Sequence, residues 1–435
     1  MERGTRQDIP ESAHFRREDG ELTCDGMPLR ALAEAHGTPL HVLSESAVRA
    51  AYASVTEALR EGAPERPHLV CYAMKANGSP GLLRRLAALG AGCDVVSGGE
   101  LYWALRAGFP ADRIVMSGVG KTDAELEAAV RAGVSIHVES EGEIEALVPI
   151  AERLGRPARI GLRINPNVDA ATHPYIATGL FDTKFGLSME LGRRLGRELA
   201  KGPLVLESIS SHIGSQIGEV DALKDAAEIT AALAVECRAQ GAPIARIDVG
   251  GGWPVAYGDE DAAFPTYREI GVAIGRGLRA AKAPADLALV VEPGRALVGQ
   301  AGVLLGRVLF EKRQQSPQGQ LRRFVIVDAA MTELIRPSLY GAYHAIEVVT
   351  ADRGAPSPCD VVGPVCESGD FFARDRLLPP LVRGDLIALR TTGAYGAAMT
   401  SEYNARPRAA EVMVAFGGVE ILRPRGRVED LHDEG

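Results

Sequence analysis

Between residues 46 and 300 the chain alternates, and that alternation restricts its fold more than any other feature. Apolar or β-branched runs recur at 68–76, 93–97, 113–118, 135–140, 158–166, 206–215, 246–252 and 287–295. Ala-, Leu-, Glu- and Arg-rich stretches with helical spacing lie near 46–61, 79–90, 98–107, 122–132, 141–154, 188–201, 220–240 and 265–283. Short apolar runs bounded by turn residues read as buried strands, and a 3.6-residue apolar period reads as a helix with one packed face. Ser79-Pro80 and Thr122-Asp-Ala-Glu125 carry helix-start chemistry, while Gly90 and Gly133 carry stop chemistry. Alternation of this kind over about 250 residues predicts an α/β fold, a (β/α)8 TIM-type barrel rather than an open sheet. A helix comes first, so something precedes the barrel.

After residue 300 the helical rhythm stops. AGVLLGRVLFEKR, RRFVIVDA, HAIEVVT, DVVGPVC, DLIALRT, AEVMVAF and VEILRPR read as strands separated by Gly/Pro turns, with a loop at 314–320 and a polar tail at 426–435. Residues 1–45 are also strand-like, with a turn at Asp25-Gly26 and the run HVLSES. The expected organisation is a barrel over 38–298 and a second, all-β domain built from both chain ends, 1–37 and 299–435. A chain of 435 residues accommodates both.

Composition excludes several classes of function. The formal charge of −9 disfavours nucleic acid, whose phosphates need a basic field. The six cysteines form no CxxC pair and suggest no disulfide scaffold; no HExxH is present, and no metal site is expected. Neither an export-type N-terminus nor a bilayer-length apolar run is present, so the expected location is the cytoplasm, away from membranes.

In βα barrels the chemistry sits at the C-terminal ends of the strands. That rim receives Lys75, Asp94, His212, Ser215, the triplet Gly250-Gly251-Gly252, and Glu292-Pro-Gly294-Arg295. Singly, each has an ordinary explanation: a snorkelling lysine, a packed histidine, a tight turn, a loop ion pair. Their convergence favours function. Successive glycines expose backbone N–H groups to an anion. A buried lysine has a depressed amine pKa and can form a Schiff base. A phosphorylated aldehyde with an acid beside its ring nitrogen describes pyridoxal 5'-phosphate. Gly118-Val-Gly-Lys-Thr122 contains GKT but lacks the first glycine of a phosphate-binding loop, since position 115 is Val.

Nine motifs occur in order: YAMKAN (72–77), GCDVVSGGEL (92–101), HPYIATGLFDTKFG (173–186), HIGSQI (212–217), GGG (250–252), EPGR (292–295), IRPSLYGAYH (335–344), GPVCESGD (363–370) and GAYG (393–396). With them the chain resembles the diaminopimelate decarboxylase family, pyridoxal-phosphate enzymes of the alanine racemase-like fold type, from about residue 38 to 420. The resemblance implies a barrel plus a β domain, and roles for individual residues. Lys75 would be the Schiff-base lysine, with Asp94 in support. His212 would stack on the ring and Glu292 would hold the ring nitrogen. Ser215, Gly251, Gly252, Gly294, Arg295 and Tyr395 would hold the phosphate. Arg295, Arg336, Tyr340 and Tyr395 would bind the substrate's far carboxylate, and Glu367 its far amine. Cys366 would reprotonate the carbanion. Cys366 and Glu367 would come from the partner subunit, implying a homodimer with shared active sites.

Small departures are Trp253 after the glycines, Thr391-Thr392 before GAYG, and Ala330 after Asp328-Ala329. The implied reaction is decarboxylation of meso-2,6-diaminopimelate to L-lysine and CO2, closing lysine biosynthesis. A relative acting on ornithine, arginine, carboxynorspermidine or a carrier-bound aminoacyl group is the alternative, although such relatives usually place aspartate after the cysteine. A silent paralogue is disfavoured by the presence of Lys75, Cys366 and the arginines. A racemase is disfavoured by Glu292, where racemases of this fold tend to place arginine.

Overall fold

A computed structural model of the chain describes residues 9, 12–169, 184–199, 202–260, 263–315, 317–319, 321–349 and 354–431. The chain divides into two compact units, Ala51–Pro254 with Phe264–Ala296, and Met1–Ala50 with Val255–Ala263 and Leu297–Gly435. Most of HPYIATGLFDTKFG, through residue 183, and the end of the tail, 432–435, lie outside the described residues.

In the first unit eight parallel strands close into the expected barrel. They are His68–Ala73, Gly92–Val95, Ile114–Met116, Ser135–Val138, Ala158–Ile164, Leu204–Ser211, Arg246–Asp248 and Ala288–Val291. The eighth pairs with the first through Leu289 opposite His68 and Val291 opposite Val70. Several ladders stop short of the apolar runs that announced them. The first ends at Ala73, the sixth at Ser211, the seventh at Asp248 and the eighth at Val291, because the chain must turn there towards its next helix. Residues with chemistry therefore stand in turns just beyond the strands.

The helices begin and end where side-chain chemistry directs. Thr122 and Glu125 form a reciprocal capping box before Asp123–Ala132, and Gly133 closes that helix in the left-handed region. A cap of this kind contributes about 1 kcal/mol. Helix Tyr267–Ala280 packs backbone to backbone against Glu45–Gly62. A Cβ on Gly271 would fall 2.0 Å from the Ala58 carbonyl oxygen, and one on Gly275 would fall 1.9 Å from that of Gly62.

The second unit is built around a sheet in the order Phe371–Leu378, Ser357–Val362, Leu321–Val327, Gly302–Gln315, Leu40–Ser44, Ala410–Ala415, Gly418–Arg423. Leu40–Ser44 runs antiparallel to Gly302–Leu305 on one side and parallel to Ala410–Val414 on the other. The units consequently do not divide at the expected 37/38 boundary, since this strand satisfies both backbone edges inside the β sheet. Two further differences follow from local sequence. Leu29–His36 is a helix, burying Leu29, Leu32 and Ala33 along one face, where only strand was expected. Gln314 and Gln315 extend a strand rather than a loop, paired with Arg322 and Leu321. Among the described residues no helix is long and apolar enough to cross a membrane.

Candidate active site

Lys75 lies in the single 3-10 turn Met74–Ala76, directly after the first barrel strand. Its side chain is 41% exposed, and its Nζ stands 3.6 Å from Asp94 Oδ2. The expectation of a buried lysine is thus corrected: the turn lifts the side chain out of the ladder into the open barrel mouth. Asp94, in the second strand, is buried, and neither carboxylate oxygen has a hydrogen-bond partner. Leaving such a group unsatisfied is costly, so its alignment with the Lys75 amine is the feature to explain.

His212 follows the sixth strand. Its Nδ1 accepts a hydrogen bond from the Gly251 N–H at 3.1 Å, which assigns the ring hydrogen to Nε2. Burial, then the charges of Lys75 and Arg163, push its pKa well below the ordinary value and keep the ring neutral.

The glycine turn is dictated by close approach. A Cβ on Gly251 would meet the Glu292 carbonyl oxygen at 2.2 Å. Gly252 has φ +87, and a Cβ there would lie 2.4 Å from the Gly214 carbonyl oxygen. Gly294 fits against the Lys75 turn, 3.0 Å from Ala76 Cβ by the same measure. Beside this cradle Arg295, largely buried, donates from Nη2 to Ser215 Oγ at 3.0 Å. A guanidinium, a hydroxyl and side-chain-free backbone turns form a donor set suited to phosphate.

Glu292 follows the eighth strand, and its Oε1 is buried without a hydrogen-bond partner. Burial raises its pKa well above the carboxylate range, with the nearby Asp248 and Asp94 charges adding to the rise. Asp248 is also raised by burial, to about 7, against a backbone hydrogen bond from Gly250 and a side-chain hydrogen bond with Glu292. Two such carboxyls hold about one proton between them. An aldehyde for Lys75, a phosphate for the Ser215/Arg295 cradle and a basic ring nitrogen for Glu292 would satisfy this set together. The residues present fit pyridoxal phosphate.

Two polar barrel residues escaped the sequence pattern. Arg163, inside the fifth strand, donates to Glu139 Oε1 at 2.9 Å while both are buried. His137, inside the fourth, lies 3.7 Å from Glu292 Oε1. A charged or imidazole side chain within an apolar run was the available signal, the same one that marked Lys75. Lys121 of the GKT stretch is fully occupied, donating to the Gly118 and His137 carbonyls and to Glu143 Oε1 at 2.6, 2.7 and 2.7 Å. Trp253 is buried edge-on to Tyr267, with ring centroids 5.4 Å apart, a packing role.

The other anticipated residues lie in the β unit. Arg336 and Tyr340 bracket a single helical turn. The Arg336 guanidinium is buried over the Tyr257 ring at 4.8 Å and donates to His344 Nε2 at 2.9 Å. Cys366 and Glu367 stand on an exposed turn. Asp370 pins that turn, accepting from the Val365 and Met331 N–H groups at 2.7 and 2.6 Å. Ser338, on the Arg336 helix, donates to the Gly369 carbonyl and ties helix to turn. Tyr395 sits in the GAYG turn with φ 57.

Residues 45–299 match the family model described as pyridoxal-dependent decarboxylase, pyridoxal binding domain. The diaminopimelate decarboxylase of Neisseria meningitidis serogroup A is 44% identical over 410 residues, 94% of this chain and 97% of that protein. That of Aquifex aeolicus is 42% identical, covering 94% of each chain. Among solved structures, diaminopimelate decarboxylase from Helicobacter pylori complexed with L-lysine superposes with a TM-score of 0.86 at 40% identity, over 93% of this chain and 98% of that one.

Proposed function

We propose that this chain, which belongs to the pyridoxal-dependent decarboxylases and among them to the diaminopimelate decarboxylases, converts meso-2,6-diaminopimelate to L-lysine and CO2, the step that closes lysine biosynthesis. Its cofactor is pyridoxal 5'-phosphate. The observation that carries this reading is the barrel-mouth set: an amine 3.6 Å from a buried carboxylate, a glycine cradle beside Ser215 and Arg295, and a buried carboxyl at Glu292 whose Oε1 has no hydrogen-bond partner. When bound, the cofactor supplies an electron sink for the pair left behind as CO2 departs.

Each residue then has a task. Lys75 anchors the cofactor through Nζ, and Asp94 orients that amine. Glu292 holds a proton on the ring nitrogen. His212 lays a neutral imidazole against the ring. Ser215, Gly251, Gly252, Gly294, Arg295 and Tyr395 hold the phosphate. Arg295, Arg336, Tyr340 and Tyr395 recognise the carboxylate at the substrate's non-reacting end, and Glu367 its amine. Cys366 delivers the proton that replaces CO2. A substrate lacking the far carboxylate leaves these donors unmatched, a discrimination of about 10⁴-fold where buried polar groups lose their partners. The assembly is a cytoplasmic homodimer in which Cys366 and Glu367 serve the neighbouring subunit's barrel, supported by their exposed yet pinned turn.

The test is CO2 release from meso-diaminopimelate, its L,L isomer, lysine, ornithine and arginine by the purified protein. Turnover is expected for the meso compound alone. Release from ornithine without release from meso-diaminopimelate would overturn the reading.

A further inference from the structure

The fourth, seventh and eighth barrel strands bring His137, Asp248 and Glu292 together, and the function proposed above employs only the last. One ligand-type atom from each lies within 4.8 Å of the others. His137 Nδ1 is 3.7 Å from Glu292 Oε1. His137 Nε2 is 4.0 Å from Asp248 Oδ2. Those two oxygens are both buried and have no hydrogen-bond partner.

The strand opposite is built to admit the imidazole. His137 pairs in register with Gly161, where a Cβ would sit 2.2 Å from Ser208 Oγ and 2.7 Å from His137 Cδ2. Ser117 Oγ stands 3.5 Å from Nδ1. Lys121, Arg163 and Arg246 supply positive charge nearby, and with burial as the larger cause they push the His137 pKa down to about 3.

A neutral imidazole offers one N–H and one lone pair. It cannot donate to two carboxylates at once. Two buried carboxyls this close resist joint ionisation. The two carboxyls also share a side-chain hydrogen bond, which leaves the Asp248 Oδ2 and Glu292 Oε1 atoms that face the ring unmatched. One arrangement satisfies these atoms and the imidazole together. Asp248 carries the proton and donates to Nε2, while Nδ1–H donates to the Glu292 carboxylate. Reversing the tautomer would put the proton on Glu292, where it would face a protonated ring nitrogen donor to donor. The gaps exceed an ordinary hydrogen bond, and each closes with about 1 Å of side-chain movement.

We propose that His137 is a positioning residue: its imidazole links the two carboxyl groups, holds their shared proton on Asp248 and presents Glu292 to the cofactor's ring nitrogen as a carboxylate. This rests on the cofactor reading above.

The test loads the protein with ¹⁵N-labelled pyridoxal phosphate and reads the ring-nitrogen chemical shift, with the cofactor dissociation constant measured alongside. Wild type should show a protonated nitrogen. In His137→Leu the resonance should move towards the unprotonated value, and affinity should fall about tenfold, the scale of one hydrogen bond to a charged group. His137→Gln, retaining a donor and an acceptor, should restore much of both. Asp248→Asn cannot be charged and should keep the protonated signal. An unshifted nitrogen in folded His137→Leu overturns the proposal, as does loss of the protonated signal in Asp248→Asn. Should His137→Leu not fold, His137→Asn, too short to span both carboxyls, takes its place: a shifted nitrogen supports the proposal and an unshifted one overturns it. A wild-type protein that fails to take up the cofactor instead overturns the cofactor reading.

Discussion

Lys75 and Asp248 illustrate two ways in which one residue can be tested. Lys75→Ala should remove the absorbance of lysine-bound cofactor and abolish turnover, and persistence of that band would reassign the anchor. Asp248 bears on stability instead. Its carboxyl rises from 3.8 to about 7 on folding. The folded protein therefore keeps a proton that the unfolded chain releases. The associated stability is full below the unfolded value and is lost as pH rises through the folded one. His41 and His137, buried and pushed down to about 3, act with the opposite sign as pH falls below 6.5. A single pH profile would blend these effects, so the comparison is with Asp248→Asn. In cofactor-free protein the urea midpoint of the variant should gain on wild type between pH 5 and 8; a constant gap would refute the assigned titration. Lys75 was legible in the sequence because a charge interrupts an apolar run at a strand end. His137 and Arg163 interrupt runs too, but mid-strand, where pattern alone does not separate a buried ion pair from a misjudged face.

Among elements, the tightest constraint is the crossing of helix Tyr267–Ala280 with Glu45–Gly62. Gly271 and Gly275 let carbonyls approach where any Cβ would collide. Gly271→Ala should destabilise the protein by roughly 1–3 kcal/mol through overpacking. Chemical denaturation would check this, and an unchanged midpoint would mean the helices separate freely. The βα alternation made the barrel legible because each element repeats its own period. Strand ends were less legible: apolar runs such as HLVCYAMKA continue into the 3-10 turn that carries Lys75. Leu29–His36 went unread because a two-turn helix offers little periodicity beside its strand-like surroundings. The GPVCESGD turn was recognised for Cys366 and Glu367, yet its shape rests on Asp370, whose role emerges only from its hydrogen bonds.

For the whole molecule, the proposed exchange of Cys366 and Glu367 between subunits has a sharp outcome. Lys75→Ala and Cys366→Ala proteins, each nearly inactive, should recover about a quarter of wild-type turnover after mixing and reassociation, since half the random dimers then contain one intact site. No recovery despite subunit exchange would place both residues in a single chain's site. Cys366→Ala alone should still bind cofactor normally while forming product slowly. The central placement of Leu40–Ser44, flanked by Gly302–Leu305 and Ala410–Val414, governs events before any of this chemistry. During synthesis this strand emerges early, and every barrel strand is made before either of its neighbours. Its sheet stays open at the middle until Ala410–Ala415 has been made, after the whole barrel. The barrel can thus assemble first, while an apolar strand waits with both backbone edges exposed to mispairing. A stop codon near residue 405 would strand that edge permanently, making synthesis of Ala410–Ala415 the event that commits the β unit to its fold.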